Sequence, residues 1–144
     1  MIWFPFTFNR TRNLRMNITQ IKETCLYSYD LEQTKIFYTK YLGLNVINYL
    51  EGKHLFLRAG SSVLLFFNPD DSRLKKTPPP HFGEGKMHIA FEVAVEDYEK
   101  CKLEISEAGV QITYEEIWQG KLKSFYFNDP NGHVLEIVPA GLWE

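Results

Sequence analysis

One imidazole and two carboxylates, His88, Glu136 and Glu23, stand where charge is unexpected, inside short apolar runs that read as strands. In Met87 to Val93, Ile89, Phe91 and Val93 make one face and His88, Ala90 and Glu92 the other. In Val134 to Val138, Glu136 shares a face with Val134 and Val138, while Leu135 and Ile137 point the opposite way. In Ile18 to Tyr27, Glu23 lies with Cys25 and Tyr27, against Thr24 and Leu26. If the strands meet in a curled sheet, the three polar side chains line its concavity. A nitrogen and two carboxylates suit a divalent cation of borderline to hard character, such as Zn, Mn, Fe, Ni or Co. A solvated sheet face, with Glu23 in a surface ion pair beside Lys22, accounts for the same residues without chemistry.

The elements that would position these residues recur in one order. After Ile18 to Tyr27, Asp30 and Gln33 form a capping-box arrangement at the start of a helix carrying Thr34, Phe37, Tyr38, Tyr41 and Leu42, and Gly43 ends it. Strands follow at Asn45 to Tyr49, His54 to Arg58 and Val63 to Phe67. A polar loop, 69–86, holds Pro78-Pro79-Pro80. The order then restarts with Met87 to Val93, a helix from Asp97 to Ala108 closed by Gly109, and strands at Gln111 to Glu115, Ser124 to Phe127 and His133 to Val138. The turn Asp129-Pro130-Asn131-Gly132 joins the last two, its proline presetting φ and its glycine accepting φ > 0. The reading is α+β: two tandem βαβββ modules, 16–68 and 87–139, forming a cup-shaped mixed sheet with helices on its outer face. Residues 16–144 make one domain, and residues 1–15 a non-catalytic extension.

Composition narrows the function. Sixteen Lys and Arg against eighteen Asp and Glu give a net charge of −2 with no basic stripe, so no nucleic acid is expected as partner. The first fifteen residues run aromatic then basic, the reverse of a secretory signal, and are too short to span a bilayer. Cys25 and Cys101 lie far apart inside apolar patterns and read as buried free thiols of a reducing, cytoplasmic setting.

Three segments carry a family resemblance: Asp30-Leu31 through Thr34, Phe37-Tyr38 and Leu42-Gly43-Leu44; Gly85-x-Met87-His88-Ile89-Ala90-Phe91; and Phe127-x-Asp129-Pro130-x-Gly132-x-x-Leu135-Glu136. Together, over about residues 18 to 139, the chain resembles the vicinal oxygen chelate superfamily. That superfamily includes glyoxalase I, methylmalonyl-CoA epimerase, fosfomycin-resistance transferases, extradiol dioxygenases and bleomycin-binding proteins. The resemblance implies metal ligands at His88, at Glu136 and, seven residues before Asp30, at Glu23, where the family usually has histidine or glutamine. The family's fourth position falls near Leu64, with Phe66 on the same face, and neither can bind metal. Three protein ligands would leave room for water and a small substrate with adjacent oxygens.

Proton transfer of lyase or isomerase type would use Glu23 or Glu136 as base, with His81 of the proline loop as acid or extra ligand. Two histidines and one carboxylate would suit ring cleavage better, and no basic cluster suits a phosphonate. Phe56, Phe67, Tyr126 and Trp118 could wall a pocket for an apolar or aromatic substrate. The alternative is a metal-free protein that binds and sequesters a drug or metabolite. A homodimer is expected, because the tandem modules leave strand edges to be covered.

Overall fold

The eight strands pair into two four-stranded mixed sheets, seen in a computed structural model that describes residues 16–118 and 121–144. The expected extension at residues 1–15 lies outside the described residues. The first sheet contains β1 (Glu23–Tyr27), β2 (Asn45–Leu50), β3 (His54–Ala59) and β4 (Ser62–Phe67) in the order β1-β4-β3-β2. The second contains β5 (His88–Val93), β6 (Ile112–Trp118), β7 (Leu122–Asn128) and β8 (Val134–Pro139) in the order β5-β8-β7-β6. In each, the first and last strands of the module pair in parallel. The order repeats because each module has a helix crossover followed by a meander.

Helix α1 (Leu31–Lys40) starts where expected: the Asp30 carboxylate accepts from the Gln33 N–H at 2.9 Å. Helix α3 (Tyr98–Glu107) matches it in the second module, and the short α2 (Pro69–Ser72) opens the connecting loop. β1 begins at Glu23 rather than Ile18. Its partner β4 starts at Ser62 after a tight turn, so residues upstream of Lys22 have no strand to pair with, and Ile18 and Ile21 stay exposed.

One apolar cluster joins both modules. Leu26, Leu55, Leu57, Leu64 and Phe66 enter it from the first sheet, and Phe125, Phe127, Leu135 and Ile137 from the second. The helices pack on these same faces: Tyr38 of α1 lies 4.8 Å from Phe66, Phe37 reaches Phe127 at 6.5 Å, and Tyr98 of α3 lies 5.6 Å from Phe125. Since side chains alternate along a strand, each sheet's other face turns away from the shared core. These outward faces are where the polar residues lie.

A buried polar network fastens the modules together. The Tyr38 phenol donates to Asp129 Oδ2 at 3.0 Å, and Asp129 also accepts from the N–H groups of Asn131 and His133. The His133 ring touches the Tyr27 carbonyl through Nε2 at 2.9 Å and the Met87 N–H through Nδ1 at 3.2 Å. A carbonyl only accepts and an N–H only donates, so Nε2 carries the ring proton and Nδ1 is bare. One neutral tautomer thereby spans from the end of β1 to the residue before β5.

Candidate functional site

On the outward face of the second sheet, parallel pairing sets His88 opposite Val134 and Ala90 opposite Glu136. His88 Nε2 and Glu136 Oε2 lie 3.4 Å apart. The second contact of His88 decides what that pair can do. Its Nδ1 is 3.0 Å from the Val134 carbonyl, which can only accept, so Nδ1 holds a proton, and Nε2 meets the carboxylate either as a lone pair or, in the imidazolium, as a second N–H. Two electron-rich atoms at that separation repel unless a second proton or a cation joins them. Glu136 is 5 % exposed, and its Oε1 is buried without a hydrogen-bond partner. Tyr126, its cross-strand neighbour, lies 6.1 Å from the His88 ring, nearly parallel to it; burial, and then a hydrogen bond to Glu136, push its phenol up. An imidazole fixed by its other nitrogen, a buried carboxylate with a bare oxygen and a phenol beside it fit a divalent cation.

Glu23 is exposed at the start of β1, in the outward row of the first sheet with Cys25 and Tyr27. Among the described residues, no three His, Cys, Asp or Glu side chains come together in one chain closely enough to hold a metal ion. The structure thus brings His88 and Glu136 together and leaves Glu23 on the other sheet. His81 also belongs to the first sheet's outward side. The Tyr27 phenol is 2.9 Å from its Nδ1, and its ring packs edge-on to Phe67 at 4.7 Å. Burial pushes the Tyr27 phenol up, so it keeps its proton, and its contact with Nδ1 holds the His81 ring in place.

Leu64 and Phe66 do not occupy the outward face: both enter the core, and Val63, Leu65 and Phe67 take the outward positions of β4. The pairing of Glu23 with Val63 fixes that parity. The fourth ligand position is still apolar, now because of Leu65, the partner of Cys25. Cys25 and Cys101 are half-buried free thiols rather than fully buried ones. Burial, and then Glu23, push the Cys25 thiol up, so it stays protonated beside Glu23.

The two-module fold that carries this pair is repeated in known proteins. Residues 20–137 match the model of the Glyoxalase/Bleomycin resistance protein/Dioxygenase superfamily. The chain belongs to that superfamily. It is 32% identical over 114 residues to the glutathione transferase FosA of Serratia marcescens, covering 78% of this chain and 75% of that protein. It is 30% identical over 124 residues to the metapyrocatechase of Geobacillus stearothermophilus, covering 84% of this chain but 35% of that larger protein. A lactoylglutathione lyase from Agrobacterium tumefaciens has a solved structure that superposes with a TM-score of 0.83 at 27% identity, over 88% of this chain and 97% of that one. These comparisons fix the two-module fold on which the His88–Glu136 pair sits. No helix among the described residues is long and apolar enough to cross a membrane.

Sequence reasoning missed two supports of the site. His133 lies in the turn motif next to Gly132, but only the fold shows that it ties Tyr27 to Met87, the neighbour of His88. Tyr126 stood out only as a wall residue, and its place beside Glu136 depends on the pairing of β7 with β8. The alternation of Ser124, Tyr126 and Asn128 was the available signal.

Proposed function

We propose that the protein is a divalent-metal-dependent enzyme of lyase or isomerase type, moving a proton on a small substrate with adjacent oxygens, and that two copies complete each site. The observation that carries this reading is the His88–Glu136 pair: His88 Nε2 stands 3.4 Å from Glu136 Oε2, and the other carboxylate oxygen, Oε1, is buried without a partner. His88 and Glu136 would hold the cation from the second sheet of one protomer, and Glu23 from the first sheet of the other. The outward faces of the two sheets turn away from the same core, so a second copy is the economical way to bring Glu23 to the pair. When bound, the cation supplies a Lewis acid for the two substrate oxygens.

The protein's own groups would do the proton work. Glu23, exposed and paired with no cation at short range among the described residues, can loosen and take a proton next to a carbonyl. His81 lies over the same sheet with its ring held by Tyr27 through Nδ1, and its other nitrogen can return a proton to an oxygen. The likeness to a lactoylglutathione lyase supports the lyase class. The single histidine of the pair supports proton transfer over ring cleavage.

Metal analysis of chelator-treated protein after incubation with Mn, Fe, Zn, Ni and Co tests the reading, alongside His88→Ala, Glu136→Ala and Glu23→Ala. Stoichiometric metal in wild type, lost in all three variants, is expected, with a dimer seen by light scattering. Equal, negligible metal in all four proteins would sink it. That result would favour the second reading, metal-free binding of a drug or metabolite, which rests on the fact that one chain assembles only two of the three groups among its described residues.

A further inference from the structure

Beside Glu136, the outward face of the second sheet holds aromatic surface that the core does not use. Tyr126 is the cross-strand neighbour of both Glu136 and Tyr114, and the two tyrosine rings lie 5.9 Å apart. Further along β6, the Trp118 indole N–H donates to the buried Ser124 hydroxyl at 2.9 Å, which holds that ring on the same face. After β8 the chain hooks back through Gly141, at φ +97°, and brings the Trp143 ring to 5.6 Å from Trp118. Trp143 itself has φ +76°, a left-handed conformation disfavoured for a side chain of its bulk. Burial does not compensate, since Trp143 is 80% exposed and Tyr114 59%. A strained residue that leaves an indole in solvent against Trp118, on the face that carries Glu136, is a reason to look for a ligand. The charge of the face narrows the choice. Its strand positions include Glu92, Glu116 and Glu136 and no Lys or Arg, so it does not favour an added anionic group.

We infer that Tyr126, Trp118 and Trp143 form a stacking wall for the body of the substrate, and that the substrate class is an uncharged molecule with a planar aromatic group joined to its adjacent oxygens. Trp143 is then a specificity-determining residue outside the module repeat. The inference rests on the reading of His88 and Glu136 as the anchor for those oxygens, and it can fail separately from that reading.

The test uses the full chain and two ketones, α-hydroxyacetophenone and hydroxyacetone, which share a ketone and an adjacent hydroxyl and differ in phenyl against methyl. Indole N–H resonances of Trp118 and Trp143, assigned with Trp118→Phe and Trp143→Phe, are followed by NMR in chelator-treated protein and again with Zn added. Saturable shifts of both resonances with the phenyl ketone, and not with hydroxyacetone, are expected without metal. Trp143→Ala should weaken the phenyl ketone about two- to tenfold, with Trp143→Phe recovering most of the loss and the Zn-dependent binding of hydroxyacetone unchanged. Discrimination between the ketones that persists while Zn changes nothing would support the wall and sink the metal reading. Equal binding of the two ketones, or a ratio untouched by Trp143→Ala, would overturn the wall. So would indole shifts that follow protein dilution rather than ligand, which would make the surface a contact between copies.

Discussion

Replacing Glu136 by glutamine should stabilise the metal-free protein and abolish its stabilisation by metal. Glu136 is 5 % exposed, with one oxygen unpartnered and the other 3.4 Å from His88 Nε2, beyond the usual hydrogen-bond length. Glutamine keeps the shape and removes the charge. Its amide can meet His88 Nε2 with either an N–H or the carbonyl oxygen, whichever that nitrogen requires, since Val134 engages only Nδ1. Relieving a buried, incompletely satisfied charged group is worth about 1–3 kcal/mol. For a domain of this size that raises Tm by roughly 3–10 °C. Metal reverses the order: at a hundred times Kd, wild type should gain about 2.7 kcal/mol and Glu136→Gln almost nothing. Circular dichroism melts in EDTA and in excess Zn give all four values. A Glu136→Gln protein that melts below wild type in EDTA would refute the argument, since the carboxylate would then already be satisfied by its own chain.

Other perturbations address the supports of the site. The Tyr98 hydroxyl is buried with no partner, so Tyr98→Phe should gain about 0.5–1.5 kcal/mol in urea unfolding at neutral pH. Burial, and then Glu115, push that phenol up to about 12, above its ordinary value of 10.0. The folded state therefore holds the proton more tightly, and this contribution is present below pH 10 and is lost as pH rises toward 12. Tyr98→Phe should flatten the alkaline fall, and a fall of unchanged steepness would contradict the assignment. His133→Ala removes both bonds between Tyr27 and Met87 and should cost about 2–4 kcal/mol, so a loss below 1 kcal/mol in the same assay would mean the modules are held without it. At Gly83 an added Cβ would stand 2.7 Å from the Met87 methyl and 2.9 Å from the Tyr27 ring. The methionine can swing aside but the ring is tied to His81, so Gly83→Ala should lift the 69–86 loop and cost about 1–2 kcal/mol. Unchanged proteolytic protection of that loop would count against this.

What the sequence made legible was local. Asp30 and Gln33 announced α1, Gly43 and Gly109 closed the helices, and strand alternation assigned His88 and Glu136 to one face. Leu64 falls on the core face because β1 and β4 pair with Glu23 opposite Val63 and Cys25 opposite Leu65, a register between distant strands that no local pattern announces. The partners of Asp129 and His133 lie 91 and 106 residues away, beyond any periodic signal. Trp143 follows the last strand and belongs to no repeat, so only its backbone and its contact with Trp118 single it out.

The position of Glu23 is the more instructive gap. Alternation correctly gives its face relative to Cys25 and Tyr27, but it says nothing about which way that face turns once two modules share a core. Here Leu26 and Phe66 meet Phe127 and Leu135 in one cluster, so the faces carrying Glu23 and His88 are both directed outward. An apolar core common to both modules and a metal triangle drawn from both modules place opposite demands on a single chain. Leucines and phenylalanines outnumber the three polar groups and settle the packing within the chain. The cost falls on the site, which keeps His88 and Glu136 in register through the β5–β8 ladder but sends Glu23 elsewhere. The same packing leaves Glu136 with an oxygen that its own chain does not satisfy. The proposed cation shared with a second protomer would meet both, and on that reading metal binding and dimerisation are expected to be linked.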